Sequence, residues 1–280
     1  MARRRKRNGN NPNNPNEQNK QNPQQSGGQP QNNQKPQNGQ NGQNQRRDQN
    51  KRNKNGNHGN QNGQNGGNNK KNRAEENRKD TYVYELDGKL YINLTNRCSN
   101  GCDFCVRNER TTYFGHHLWI RHGDPTADKV ISAINGMGNL DKYAEVVFCG
   151  FGEPTYKMDE LCAVAEYAKA KGKKTRLNTN GQGNLINKQD IVPMLKDKID
   201  EVSISLNAPD AESYQKICRS TFGTNGFDAL IEFAKACKRS GVPCRFTVVD
   251  YIGEDAIASC KKLASSVGVP IVVRKYIAEC

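Results

Sequence analysis

The chain has 280 residues, with 43 Lys and Arg against 29 Asp and Glu and a formal net charge of +14. This length allows one or two domains, but the apolar residues are unevenly distributed: from residue 1 to residue 80 they are only Met1, Ala2 and Ala74. Such a segment cannot offset the roughly 1–2 kcal/mol of backbone entropy lost per ordered residue. We therefore expect residues 1–80 to be disordered and one folded domain to span residues 81–280.

The charge divides at the same boundary. Residues 1–80 hold 17 Lys and Arg against 5 Asp and Glu, a net of +12, which leaves 26 basic and 24 acidic residues, or +2, for the rest. This tail is rich in Asn, Gln, Gly and Pro, lacks aromatic residues and contains the basic run 3–7. Its composition fits a solvated tether, while the basic clusters favour weak, salt-sensitive contact with RNA or another polyanion. Both interpretations remain open.

All ten cysteines follow residue 80, and Cys98, Cys102 and Cys105 fall within eight residues. That spacing is too close for a disulfide framework and suits a shared metal site in a reducing cytosol. The basic start of the chain is not followed by the apolar segment of a signal peptide, and no stretch approaches the roughly 20 apolar residues of a membrane helix. We therefore expect a cytoplasmic protein that does not enter the membrane.

Strands and helices alternate after residue 80. The first two strands form a predicted hairpin, Tyr82–Leu86 and Lys89–Leu94, turned by Asp87-Gly88. Five further strands are predicted at Glu145–Cys149, Thr175–Asn178, Glu201–Leu206, Cys244–Asp250 and Pro270–Tyr276. Helices are predicted at Ala127–Ile134, Asp159–Ala170, Gln189–Lys196, Phe227–Arg239 and Glu254–Val267. Asp124-Pro125 is the expected start of the first helix, because it supplies a capping side chain and a fixed φ angle.

Repeated β-then-α units imply a parallel sheet with right-handed crossovers. Six such strands between Tyr91 and Tyr276 favour an α/β fold of the partial (β/α)6 TIM-like barrel type over the complete eight-stranded barrel. In this architecture the chemistry lies at the carboxyl ends of the strands. Polar or Gly-rich residues follow five of the strands, at 96–98, 150–153, 178–181, 205–207 and Asp250. We expect them to converge on one mouth of the barrel.

The three clustered cysteines have the spacing Cys-x-x-x-Cys-x-x-Cys, directly after the first barrel strand. A structural zinc ion or a sealed cubane cluster takes four ligands, whereas three thiolates leave one iron of a cubane open. The alternative is a zinc site that recruits His116, His117 or His122 as its fourth ligand. We expect His116 and His117 instead to lie in an exposed loop over the site.

The cysteine triplet, its place after the first strand and the aromatic Phe104 before the last cysteine resemble the radical S-adenosylmethionine (SAM) superfamily. This resemblance implies that Cys98, Cys102 and Cys105 bind a [4Fe-4S] cluster. It also implies that the amino and carboxylate groups of SAM bind the fourth iron, with Phe104 near the adenine.

The segment that follows the second barrel strand, residues 150–154, reads Gly-Phe-Gly-Glu-Pro. It resembles the family's Gly-Gly-Glu-Pro motif, which implies that Gly150, Gly152, Glu153 and Pro154 bind the methionine ammonium group. Glycines let backbone carbonyls approach a cation, and the glutamate adds complementary charge. The inserted Phe151 departs from the motif and is a variant shared with the RNA-methylating branch of the family.

Two more strand ends match polar, SAM-binding positions of the family. They contribute Asn178 and Asn180, beside Thr179, and then Ser205 and Asn207. Helix capping or turn formation is the alternative role for each of them. Val248 on the next strand stands near an adenine-binding position, although burial in the barrel is the better expectation for it.

The resemblance implies an enzyme that reductively cleaves SAM to methionine and a 5'-deoxyadenosyl radical, which abstracts hydrogen from an unidentified substrate. A one-electron donor of flavodoxin or ferredoxin type is the expected partner. Within the family, residues 94–100, 150–155 and 203–209 are most similar to the TatD-associated radical SAM proteins. That similarity adds a TatD-like hydrolase as an expected partner.

Two other functions remain open. The first is an RNA-directed radical SAM methyltransferase, which needs a methyl-accepting cysteine such as Cys149 or Cys280. The second is a non-catalytic iron–sulfur or RNA-binding protein. An auxiliary cluster is a lesser alternative, with candidate ligands Cys218, Cys237, Cys244 and Cys260.

Overall fold

A computed structural model describes residues 78–277. Residues 1–77 of the predicted disordered tail, its contact with RNA and the candidate Cys280 therefore lie outside the described residues. Asp80, the last residue of that predicted tail, accepts hydrogen bonds from Arg121 N at 2.8 Å and His122 N at 3.0 Å. The described chain begins with a hairpin of β1 (Val83–Leu86) and β2 (Lys89–Ile92), paired antiparallel. Its turn residues Asp87 and Gly88 both have positive φ, 50° and 66°, as a two-residue turn that matches the twist of the strands requires. The predicted hairpin is confirmed.

A short ribbon of β3 (Thr112–Tyr113) and β4 (His116–His117) follows and pairs only with itself. The remaining strands are β5 (Glu145–Phe148), β6 (Lys174–Thr179), β7 (Glu201–Ser205), β8 (Cys244–Val249) and β9 (Ile271–Arg274). The main sheet has the order β1-β2-β5-β6-β7-β8-β9, and every pair after the first is parallel. This arrangement confirms the partial six-stranded barrel.

Seven helices occur within residues 78–277. They are α1 (Ala127–Gly136), α2 (Met158–Ala170), α3 (Gly183–Asn187), α4 (Val192–Leu195), α5 (Ala211–Cys218), α6 (Asn225–Arg239) and α7 (Glu254–Val267). None of them has both the length and the apolar character needed to cross a membrane.

The start of α1 differs from the prediction. The side chain of Thr126 accepts a hydrogen bond from Lys129 N at 3.4 Å and caps the helix. Asp124, the predicted cap, instead accepts a hydrogen bond from Thr95 Oγ1 at 2.9 Å. The predicted cap was therefore wrong, because Asp124 faces the segment that leads from β2 to the cysteines.

Three other helices depart from the prediction. The helix expected at Gln189–Lys196 is shorter in the structure, where α4 spans only Val192–Leu195. Its start is delayed because the Asp190 side chain accepts a hydrogen bond from Val192 N at 3.0 Å. Helices α3 and α5 were not predicted at all. Helix α5 begins where Asp210 accepts a hydrogen bond from Ser213 N at 2.8 Å.

The main core lies between the sheet and its helices. Alternate side chains of each strand fill it, including the fully buried Leu90, Phe148, Leu177 and Phe246. Val248 belongs to the same core, so its expected burial is confirmed. A second, smaller cluster of Tyr84, Leu118 and Phe151 lies apart from the first. Side chains between the core positions, such as Asn178, face the barrel interior.

Candidate functional site

The end of α5 supports the loop that carries the three cysteines. Gly101 N donates a hydrogen bond to Cys218 O at 3.0 Å, and Asp103 N donates one to Ile217 O, also at 3.0 Å. These two bonds hold the backbone on both sides of Cys102 against the helix end. Cys98, Cys102 and Cys105 are all free and partly exposed. The loop therefore presents three thiols from a backbone that the helix has already fixed.

Arg107 ties the same loop together from the other side. Its Nη1 donates to Asn96 O at 2.9 Å, and its Nη2 donates to Asn100 O at 2.9 Å. The planar guanidinium thus spans the chain on both sides of Cys98 with two fixed donors. Arg107 also brings a positive charge close to thiols that have to become thiolates when they bind metal.

Burial keeps the three thiols neutral in the metal-free protein. It raises the pKa of Cys98 to about 12, and the nearby Glu153 carboxylate acts in the same direction. A hydrogen bond with the Cys218 thiol, followed by burial, raises the pKa of Cys102. Burial also raises the pKa of Cys105, against the lowering effect of Arg107. Metal binding here therefore displaces protons.

Gln182 is the hub of a buried polar network beneath the cysteine loop. Its Oε1 accepts hydrogen bonds from Ser99 Oγ at 2.8 Å and Ser220 Oγ at 3.1 Å. Its Nε2 donates to Asn100 Oδ1 and to Tyr214 Oη, both at 3.0 Å. The fully buried amide thus links the segments after β2 and β6 to α5. The sequence analysis named none of these five as site residues. Ser99, Asn100 and Gln182 stand in the polar runs after strands, whereas Tyr214 lies in α5 and Ser220 follows it, where the sequence shows no such signal.

Glu153 joins the end of β5 to the end of β6. Its side chain is 3% exposed, and Oε1 accepts hydrogen bonds from Thr155 N and from the hydroxyls of Thr155 and Thr179 at 2.7–3.2 Å. Oε2 accepts from Asn180 N at 2.7 Å. Burial raises the pKa of Glu153, and these hydrogen bonds oppose the rise. Oε2 accepts one hydrogen bond against three at Oε1, so Oε2 is the oxygen with capacity for a further donor.

Gly150 and Gly152 allow the loop after β5 to lie directly on the segment that leads to Cys98. A Cβ on Gly150 would overlap the side chain of Asn93, and a Cβ on Gly152 would overlap the carbonyls of Thr95 and Arg97. Glu153 N also donates to Arg97 O at 2.7 Å. These two positions therefore require glycine because two protein segments approach closely there. The sequence alone did not show this requirement.

Hydrogen bonds bring three of the predicted site residues together. Glu153 binds Asn180 N, and Asn180 Nδ2 lies 2.9 Å from Ser99 Oγ and 3.9 Å from Cys98 Sγ. Pro154 directly follows Glu153 and begins a short 3-10 turn. These groups occupy the carboxyl end of the barrel, where the sequence analysis expected them.

The other predicted residues lie around this group. Asn178 accepts a hydrogen bond from Arg176 Nη1 at 3.2 Å. Ser205 ends β7, and Asn207 follows it with a left-handed φ of 52°, a conformation that asparagine tolerates. Among the residues that the structure describes, neither Ser205 nor Asn207 forms a hydrogen bond with Cys98, Glu153 or Asn180. The Phe104 ring packs against Tyr251 at 5.5 Å, after the end of β8.

The three candidate zinc-binding histidines are held by a different part of the protein. His116 Nε2 lies 3.0 Å from Glu85 O, His122 Nδ1 lies 3.2 Å from Asp80 Oδ2, and His117 contacts Arg78. His116 and His117 form β4 and not the expected loop. Within residues 78–277, no three His, Cys, Asp or Glu side chains are arranged around a single ion. A cubane requires no such arrangement, because each thiolate binds a different iron.

The chain resembles several known proteins. The sequence model of the radical SAM superfamily matches residues 92–256, more than half of the 280 residues. A curated relative, the pre-heme d1 synthase of Dinoroseobacter shibae, is 28% identical over 179 residues, which cover 63% of this chain and 40% of the relative.

Solved structures agree in fold. Streptococcus suis SuiB bound to the precursor peptide SuiA superposes with a TM-score of 0.52 and 20% identity, covering 70% of this chain and 40% of SuiB. SuiB bound to S-adenosylmethionine gives 0.51 and 22%, covering 66% of this chain and 40% of SuiB. The chain thus spans about 40% of the length of these relatives. With more than half of its length matched by the family, the chain belongs to the radical SAM superfamily, whose enzymes use a [4Fe-4S] cluster and SAM.

Proposed function

We propose that Cys98, Cys102 and Cys105 hold one [4Fe-4S] cluster with one open iron, and that the protein is an enzyme that reductively cleaves SAM. The observation that carries this proposal is the fixed three-thiol loop at the carboxyl end of the barrel, beside the free acceptor position of Glu153. When bound, the cluster and SAM supply a 5'-deoxyadenosyl radical for hydrogen abstraction.

The chain's own residues would position SAM. Glu153 offers its remaining acceptor position to the ammonium group, and Phe104 offers a ring face for adenine. Asn180 holds the carboxylate of Glu153 through its backbone N–H and reaches toward Cys98 through its side chain. The other residues that we assign to the SAM site are Gly150, Gly152, Pro154, Asn178, Ser205 and Asn207.

The remaining parts of the proposal concern organisation and partners. The basic residues 1–80 contact RNA or another polyanion weakly, and residues 81–280 form the radical SAM domain. A flavodoxin or ferredoxin in the cytoplasm supplies the electron. Residues 94–100 and 203–209 support membership of the TatD-associated group, and with it a TatD-like hydrolase as a partner.

Anaerobic reconstitution tests the proposal. The full-length protein should bind about four irons and, once reduced with dithionite, form 5'-deoxyadenosine from SAM. Replacing the three loop cysteines with Ala should abolish both properties. Cys162→Ala is the matched control, because the Cys162 thiol lies on α2 and contacts Met194 O. Intact SAM in the presence of a fully loaded and reduced cluster would refute the proposal that the protein cleaves SAM. A content of about eight irons per chain would refute the proposal of a single cluster.

One observation favours a second function, methyl transfer to RNA. Cys149, a candidate methyl acceptor, lines a cavity beside Gly150, next to the loop that we assign to SAM. A methyl-transfer assay with Cys149→Ala and Cys280→Ala tests this function. Methylation that persists in both variants would exclude a methyl-accepting role for these two cysteines.

A further inference from the structure

A cavity of about 290 Å³ lies in the barrel between the two edges of its sheet. We call it the barrel cavity. Tyr84 of β1 lines one side, Arg274 of β9 lines the other, and Gly150 brings it to the loop that we assign to SAM. The volume is at the small end of the range for ligand pockets. It therefore suits a compact organic molecule better than a folded macromolecule.

One wall of the barrel cavity is aromatic. The rings of Tyr84 and Tyr91 stack with their centroids 5.1 Å apart. Tyr84 is fixed further, because its hydroxyl donates to Cys149 O at 3.2 Å. Phe151, the residue inserted into the Gly-Gly-Glu-Pro motif, packs with Tyr84 in the second apolar cluster and is 6% exposed. Rigid rings of this kind favour a flat, aromatic group.

The opposite wall supplies a cation without a carboxylate partner. Arg176 pairs with Glu145 at 2.9 Å, and Arg245 pairs with Glu201 at 3.0 Å. Across residues 78–277, Arg274 forms no ion pair with any acid. The guanidinium fork matches the geometry of a carboxylate. Asp87 also lines the cavity, and both Asp87 and Arg274 are exposed, so the site for a carboxylate on Arg274 lies at the solvent-facing rim of the cavity.

We propose that the barrel cavity binds a small aromatic carboxylic acid, with its ring against Tyr84 and Tyr91 and its carboxylate on Arg274. This inference rests on the proposed function, because it assigns a substrate class to the same enzyme. The ring would then lie on the side of the barrel that carries Gly150. The carboxylate would be held away from it, on the last strand.

Calorimetric titration of the anaerobically reconstituted full-length protein tests the proposal with three probes. Indole-3-acetate carries ring and charge, indole-3-acetamide lacks the charge, and cyclohexylacetate lacks the aromatic ring. We expect indole-3-acetate to bind about tenfold more tightly than the amide, the size expected for one charge-assisted contact. It should also bind several-fold more tightly than cyclohexylacetate, which cannot form the aromatic contact. Equal binding of the acid and the amide, or binding of none of the probes, would overturn the proposal.

Variants at Arg274 identify the cation. Arg274→Gln should remove the preference for the acid over the amide, and Arg274→Lys should keep part of it. Arg239→Gln, at the exposed end of α6, is the matched control and should keep all of it. An Arg274→Gln protein with normal iron content and an intact preference would refute the assignment.

The same wild-type preparation separates this proposal from the proposed function. If it forms 5'-deoxyadenosine but does not prefer the acid, only the substrate class is refuted. If it prefers the acid but leaves SAM intact, the proposed function is refuted, and the cavity binds the acid as a ligand but not as the substrate of a SAM-cleaving enzyme.

Discussion

Gln182 Nε2 donates a hydrogen bond to Asn100 Oδ1 at 3.0 Å, across 82 positions of sequence. This contact joins the segment after β6 to the loop between Cys98 and Cys102. The shape of the cysteine loop therefore depends on a side chain that binds neither cofactor in our proposal.

Gln182→Leu should lower the free energy of unfolding by about 2–3 kcal/mol, because it leaves several buried polar groups without their partner. Urea denaturation measures the change. Gln189→Leu is the matched control, since Gln189 is exposed and the one described contact of its side chain is with Met194 Sδ at 3.9 Å. A shift as small as that of the control would show that Gln182 is dispensable for the fold.

Gly152→Ala should destabilise the protein by about 1–3 kcal/mol, the usual cost of forcing atoms into a packed interior. The added methyl group meets the carbonyls of Thr95 and Arg97, next to Cys98, so the iron content after reconstitution should also fall. Gly136→Ala is the control, because a Cβ there meets nothing within 4 Å. Normal stability and normal iron content in Gly152→Ala would contradict the packing described here.

Arg107→Lys should keep the charge and lose the two-armed contact with Asn96 O and Asn100 O. A lysine ammonium lacks the rigid fork that spans both carbonyls. We expect a lower iron content and faster loss of iron to a chelator, followed by absorbance. Arg239→Lys should behave as wild type. Unchanged iron retention in Arg107→Lys would mean that the positive charge at position 107 is sufficient to hold the cysteine loop, without the two-armed contact.

Glu145→Gln should show a pH-dependent loss of stability. Burial raises the pKa of Glu145, but its hydrogen bonds and charge pairing with Arg176 and Lys89 outweigh burial and hold the pKa below its ordinary value of 4.5. A carboxyl group with a lowered pKa stabilises the fold above its unfolded pKa, and that stabilisation is lost as the pH falls through the folded value.

Urea denaturation at several pH values checks this. At pH 7 the variant should be less stable than wild type by about 1–2 kcal/mol, and the difference should shrink below pH 4.5. Glu166→Gln is the control, because Glu166 is 62% exposed in its pair with Lys198 and exposed pairs contribute little. A difference that is the same at all pH values would contradict the ion-pair explanation.

The sequence predicted the sheet well, because the alternation of side chains and the turn residues are local. The strand expected at Glu145–Cys149 is Glu145–Phe148, and the helix expected at Glu254–Val267 has those bounds. The predicted cap Asp124 was wrong because its partner Thr95 is 29 positions away. Local patterns cannot show which distant group a side chain meets.

The candidate site was likewise predictable where it consists of local motifs, and not where it depends on contacts between distant segments. The cysteines and the Gly-Phe-Gly-Glu-Pro segment stand out as motifs, whereas Gln182 and Tyr214 are ordinary residue types whose role comes from burial beside Asn100. Position 152 likewise requires glycine because the carbonyls of Thr95 and Arg97 lie against it, and these carbonyls belong to a distant segment of the chain. Packing between segments decides these roles.

Strands β1 and β9 are both edges of the main sheet within the described chain. In a closed barrel, strand number and stagger together fix the diameter. An unclosed sheet has no such constraint, so a strand or loop added at either edge would change the size of the lumen without shifting the register of β2, β5, β6, β7 and β8. Pocket dimensions can therefore evolve or be engineered separately from the strands that carry the cysteine loop and its supports.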